Sequence, residues 1–181
     1  MTSARVTRRL LLLALLSLAC GREPPPGVVA VGRSAPEFQA LSLEGDTVSL
    51  ASLRGGPVLL NLWATWCAPC RRETPFLQSV HERFHPRGLQ VVGVSMDTRA
   101  ALRDVQEFVD EFGVTYRVLH DPDGRSMDLF SVIGLPASYL IDHEGTVLWS
   151  RVGEVREDDR HFEEALEQAL QRAAEASRAS S

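Results

Sequence analysis

One junction constrains this chain more than any other feature. Pro57-Val58-Leu59-Leu60-Asn61-Leu62-Trp63-Ala64 is a nearly continuous apolar run, and it passes through Thr65-Trp66 into Cys67-Ala68-Pro69-Cys70. Such a run predicts a strand buried on both faces, the central kind with helices on either side. After the cysteines, Pro69 to His85 predicts a helix, because Phe76, Leu77, Val80 and Phe84 recur at three- and four-residue steps and form one apolar stripe. A strand that hands over to a helix within a few residues sets whatever lies between them at the helix N-terminus. Here that is a pair of thiols.

The rest of the chain repeats the alternation. Phe38–Leu43 and Thr47–Leu50 flank Glu44-Gly45-Asp46, a hairpin signal. Leu89–Ser95 predicts a second buried strand. Arg99–Phe112 predicts an amphipathic helix with Leu102, Val105, Phe108, Val109 and Phe112 inward, ended by Gly113. Tyr116–Leu119 predicts a short strand, and Asp121-Pro122-Asp123-Gly124 a turn. Ala137–Ile141 and Val147–Arg151 predict a hairpin across His143-Glu144-Gly145, and Asp158–Ala174 a last helix, with Asp158 and Asp159 favoured at its positive end. This order implies an α/β fold with a mixed central sheet and helices on both faces.

Length and composition exclude several classes. The chain has 181 residues, 44% hydrophobic and 24% charged, which suits one globular domain. Its net charge is −5 with no basic block, so nucleic acid is not expected as a partner. Its 19 basic residues are all Arg. The absence of Lys excludes Schiff-base chemistry and a Walker-type phosphate loop.

The N-terminus predicts an address. Arg5, Arg8 and Arg9 precede the apolar run that begins at Leu10, a basic region followed by a short hydrophobic one, as in a secretory signal over residues 1–19. Ser17-Leu18-Ala19-Cys20 resembles the bacterial lipobox, which implies lipidation of Cys20 and a cell-envelope location facing the periplasm. Removing residues 1–19 takes away three Arg and no acid, which makes the chain three charge units more acidic. Residues 20–31 predict a tether stiffened by Pro24-Pro25-Pro26. The folded domain is expected over residues 32–175, with a flexible tail over 176–181.

The chemistry is expected at Cys67 and Cys70. Cys67 falls at the helix N-terminus, where unpaired N–H groups and the dipole stabilise a thiolate. Pro69, early in the helix, forfeits no needed hydrogen bond. The two-residue spacing sets Cys70 one turn in, close enough for a small disulfide, and thiol pKa values in such motifs fall to about 3.5–7.5. Cys67 is the expected exposed nucleophile and Cys70 the buried resolving thiol. A zinc site would need a second Cys/His pair, and His81 and His85 lie several turns along the same helix. A purely structural disulfide closing so short a loop would stabilise little.

Leu62-Trp63-Ala64-Thr65-Trp66-Cys67-Ala68-Pro69-Cys70, with Ala35-Pro36-Glu37-Phe38 and Gly134-Leu135-Pro136, resembles the secreted TlpA/ResA/CcmG-type thiol–disulfide oxidoreductases of the redoxin (AhpC/TSA) superfamily. The resemblance implies a thioredoxin-like three-layer α/β/α sandwich with an N-terminal β-hairpin extension. It implies a redox-active Cys67–Cys70 disulfide as the only cofactor, no metal, and Pro136 as a cis-proline facing the dithiol. Leu135 would then expose its backbone to a client segment, with Trp66, Ala68 and Pro69 also in the client site. Glu73, three residues beyond Cys70, resembles the glutamate implicated in proton handling between the cysteines. Asn61 stands where cytoplasmic thioredoxins carry a buried Asp. The implied partners are protein disulfides, such as apocytochrome c or copper-site assembly proteins, and a membrane thiol donor of the DsbD/CcdA kind. The alternatives are a peroxiredoxin-like peroxidase and a non-enzymatic copper chaperone. The first has Ala64 and Leu60 where peroxiredoxins place Thr and Pro, and the second normally uses a C-x-x-x-C spacing.

Overall fold

The computed structural model describes residues 29–179. The expected signal, most of the tether and Cys20 lie outside the described residues. Seven strands form one mixed sheet: β1 (Gln39–Ser42), β2 (Thr47–Ser49), β3 (Val58–Trp63), β4 (Gln90–Ser95), β5 (Arg117–His120), β6 (Ala137–Ile141) and β7 (Val147–Val152), in the spatial order β2-β1-β5-β4-β3-β6-β7. The β3–β4 and β4–β5 pairs are parallel, and all the others are antiparallel. The expected N-terminal hairpin is therefore an extension that adds β1 and β2 to the edge of β5.

All six residues of β3 are buried. Their alternation divides the core in two. Leu59 and Trp63 join a cluster with helices α1 (Ala68–Phe84), α2 (Leu102–Glu111) and α4 (Arg160–Ala179). Val58, Leu60 and Leu62 join a second cluster on the opposite face with Phe38, Val48, Leu50, Leu53 and Phe130. Asn61 shares the parity of Leu59 and Trp63, so β3 aims one amide at the α1 face. The second face is covered by a 3-10 turn over Leu50–Leu53 and a short helix, α3 (Arg125–Phe130).

Three expectations are corrected. Helix α3 is absent from the sequence reading, since six residues are too few to display a 3.6-residue period. Leu102, expected inward, is exposed, because Arg99–Ala101 form a 3-10 turn that rotates the start of α2. Helix α4 continues to Ala179, past the start of the expected tail, because Ala173, Ala174, Ala176 and Ala179 favour helix and nothing there breaks it. The end of the expected tether is also held in place: Val29 packs on the second cluster, and Ala30 O accepts the Arg33 N–H.

Gly93 interrupts the Val-rich strand β4 for a steric reason. A Cβ there would lie 2.9 Å from Trp63 Nε1 and 3.2 Å from Tyr116 Cε2. Gly93→Ala is expected to destabilise the fold by about 1–3 kcal/mol through overpacking beneath the dithiol, read from urea or thermal unfolding.

Candidate active site

Strand β3 ends at Trp63, and the chain turns through Ala64–Trp66 into α1. Cys67 is the N-cap of α1: its backbone is extended and its Sγ accepts the Cys70 N–H at 3.3 Å. Cys67 and Cys70 form a disulfide with a Cα–Cα distance of 5.2 Å. The expectation of an exposed Cys67 is corrected, because it is 5% exposed against 1% for Cys70. Only the order of the two holds. Burial follows from the cap itself, which folds the sulfur back over the first turn of the helix. The surroundings are unequal: Trp66 beside the pair is 71% exposed and Ala68 is exposed, whereas Trp63 is buried and stacks on Phe108 with ring centroids 4.4 Å apart.

The loop that delivers Cys67 is held by a residue the sequence reading missed. Asp97 is buried just past the end of β4. Its Oδ2 accepts the Thr65 N–H at 3.0 Å and the Ser95 hydroxyl at 2.8 Å, and its Oδ1 accepts the Thr65 hydroxyl at 2.6 Å. Its carbonyl oxygen is 2.8 Å from His120 Nε2, at the end of β5. Thr65 and Asp97 are 32 positions apart, so no local pattern pairs them.

Glu73 lies one turn beyond Cys70 and is 1% exposed. Its Oε1 accepts the Asn61 amide at 2.8 Å, and its Oε2 accepts the Val155 N–H at 2.9 Å. Burial drives its pKa up to about 7 against those two donors; the nearby Glu154 raises it further and Arg151 lowers it. The same loop reaches the proline. The Leu135–Pro136 peptide bond is cis, and Gly153 N–H donates to Pro136 O at 2.8 Å. Leu62 pairs with Ala137, so Pro136 sits beside the end of β3, where the chain turns toward Cys67. Leu135 is half-buried and packs against the cluster that contains both cysteines. His81 and His85, weighed as zinc partners, pack on one another far down α1, with ring centroids 4.9 Å apart. Among the described residues no group of three or more His, Cys, Asp or Glu is placed to hold a metal ion.

The site is thus a cysteine pair, joined as a disulfide, at a helix N-terminus, with a buried carboxylate of near-neutral pKa one turn away and a cis-proline just before the neighbouring strand β6. That combination, on this sheet, defines a thioredoxin-fold thiol–disulfide protein. Residues 31–150 match the model of the AhpC/TSA family. The thiol-disulfide oxidoreductase ResA of Oceanobacillus iheyensis is 38% identical over 124 residues, which cover 66% of this chain and 64% of that protein, just under two thirds of its length. ResA of Bacillus thuringiensis is 31% identical over 160 residues, which cover 85% of this chain and 91% of the relative. A crystal structure described as a candidate thiol:disulfide interchange protein DsbE from Chlorobium tepidum superimposes with a TM-score of 0.72 at 33% identity, over 78% of this chain and 99% of that one. The chain belongs to the AhpC/TSA family, among its ResA-type thiol–disulfide oxidoreductases.

Two outcomes follow from the buried carboxylates. The pKa of Glu73 rises from 4.5 to about 7 on folding, so between those values the folded protein holds a proton that the unfolded chain has released. The stabilising contribution of neutral Glu73 is complete below pH 4.5 and is lost as the pH rises through 7, a change of up to ~3 kcal/mol. Urea unfolding of the oxidised protein across this window is expected to show that slope, and Glu73→Gln to flatten it. Asp97→Ala leaves the Thr65 N–H and hydroxyl without their acceptor and is expected to cost about 2–3 kcal/mol in the same measurement.

Proposed function

We propose that the protein is an envelope thiol–disulfide oxidoreductase that reduces protein disulfides. The observation that carries this reading is the Cys67–Cys70 pair capping α1, with the buried Glu73 carboxylate one turn further on. In the reduced protein the Cys67 thiolate, favoured by the helix N-terminus, attacks one sulfur of a client disulfide. A Cys67–client bond forms and the other client sulfur leaves as a thiolate. Cys70 then passes its proton to Glu73 and attacks Cys67 Sγ. The mixed disulfide breaks, the Cys67–Cys70 bond forms, and the client's second sulfur departs. Two electrons have moved from the dithiol to the client.

The surface around the dithiol suits an extended client segment. Trp66 and Ala68 are exposed, Pro69 is half-buried, and Leu135 and Pro136 supply the backbone on the β6 side. The residues between the cysteines, together with the likeness to ResA, support the reductase direction: Ala68-Pro69 brings no cationic His to over-stabilise the thiolate. A reductase facing the periplasm requires a membrane thiol donor of the DsbD/CcdA kind. Its clients are apocytochrome c or a copper-site assembly protein, and Cys20 provides the lipid anchor.

Cys70→Ser removes the resolving thiol, so Cys67 is expected to retain clients as stable mixed disulfides. These would be identified after non-reducing electrophoresis and mass spectrometry. Equal trapping by Cys67→Ser would overturn the assigned roles.

A further inference from the structure

We propose that Asn61 is the positioning residue for Glu73: its amide fastens the carboxylate to strand β6 and so sets the pH range in which Cys70 is deprotonated. This rests on the Cys67–Cys70–Glu73 reading above and deepens it.

The argument begins with hydrogen count. The Asn61 Nδ2 carries two hydrogens and both are used, one on Glu73 Oε1 at 2.8 Å and one on Ser138 Oγ at 2.9 Å. Asn61 and Ser138 face one another in the β3–β6 register, so the bridge is as rigid as the sheet. All three side chains are buried. Turning the amide over would set its carbonyl oxygen against the carboxylate, acceptor against acceptor. The second oxygen of Glu73 is held from the opposite side by the Val155 N–H at 2.9 Å. The carboxylate therefore has one donor on each oxygen, supplied by two elements other than its own helix.

This arrangement answers a specific difficulty. A carboxylate taken out of water reverts to its neutral form, which is unable to accept a proton from a thiol. Donors aimed at both oxygens favour the ionised form and return its affinity for a proton to the neutral range. The other groups facing Glu73 do not do this in concert. Glu154 opposes the charge, Arg151 supports it, and Tyr116 is a buried phenol whose own ionisation is pushed up by burial and by Glu73. Arg72 is paired with Glu154 at 3.0 Å, and Cys70 is the thiol being served. An Asp at position 61 would add a second carboxylate, and two acids in contact share a proton rather than ionise together. An amide supplies the donor without the charge.

The proton step is Cys70–SH plus Glu73 carboxylate to Cys70 thiolate plus Glu73 carboxylic acid. The thiolate then closes on Cys67 Sγ as described above. The test uses the reduced full-length protein and 5,5′-dithiobis(2-nitrobenzoate), followed by stopped flow. The first thionitrobenzoate released reports attack by Cys67, and the second reports closure by Cys70. The pH midpoint of the second phase is the readout. Asn61→Ala is expected to raise it by about one pH unit. Ser138→Ala, which leaves the bond to Glu73 but frees the amide to turn, is expected to raise it by less. In a Glu73→Gln background, Asn61→Ala is expected to add no further shift. A wild-type midpoint in Asn61→Ala, with a changed profile in Glu73→Gln, overturns this proposal alone. An unchanged profile in Glu73→Gln overturns the role of Glu73 as well. If Asn61→Ala does not fold, Ser138→Ala decides, and a wild-type midpoint there overturns the proposal.

Discussion

Strand β3 has neither a free edge nor a free face. It is paired with β4 on one side and β6 on the other, and every one of its residues is buried. It carries two polar side-chain groups: the Asn61 amide, which is paired on both hydrogens, and the Trp63 indole N–H, which is buried without a hydrogen-bond partner. The rest of the site hangs from this element. Its C-terminal end determines where Cys67 begins α1, its alternation decides that Asn61 faces that helix, and its pairing with β6 brings Ser138 and the cis-proline alongside. Because so many partners hold it, β3 is a reference against which small displacements of the dithiol are resisted.

The second organising feature is a polar network in an otherwise apolar layer. Asn61, Glu73, Ser138 and the Val155 N–H lie among Leu59, Trp63, Leu77 and Leu140. Networks of this kind are stabilising only when every member is satisfied, and they are costly to break at any one point. The loop after β7 completes this one, since Gly153 holds the cis-proline carbonyl and Val155 holds Glu73. One short segment thus registers both the cis-proline and the Glu73 carboxylate. Asp97 performs the corresponding task on the other side, tying the Thr65 turn to the end of β4. The dithiol is held between two buried carboxylates with different duties: Asp97 orders the backbone, and Glu73 carries the near-neutral pKa.

Legibility in the sequence followed how local each signal was. The strand–thiol–helix junction could be read because its parts are adjacent, and the helix dipole acts on the residue next to it. The stripe Phe76, Leu77, Val80 and Phe84 identified α1 for the same reason. Glu73 was legible as one turn from Cys70, but its burial was not, since that depends on Val155, 82 positions away. Asp97 gave no local sign, because its partner Thr65 belongs to another strand end. Trp63 and Trp66 looked alike in sequence and separated only when strand parity sent one inward and left the other on the turn. Helix α3 is too short to show a period.

By itself, then, the sequence determined the class of the fold, the location of the dithiol at a helix N-terminus and the choice of an amide over an acid at position 61. These depend on residue type and on neighbours within a turn or a strand. Only the tertiary structure decided that Cys67 is nearly as buried as Cys70, that Glu73 is sealed from water with one donor on each oxygen, and that Asn61 joins it to the strand after the cis-proline. The physical reason is that burial and hydrogen-bond satisfaction are properties of surfaces brought together by the sheet, and no segment of the chain carries them alone.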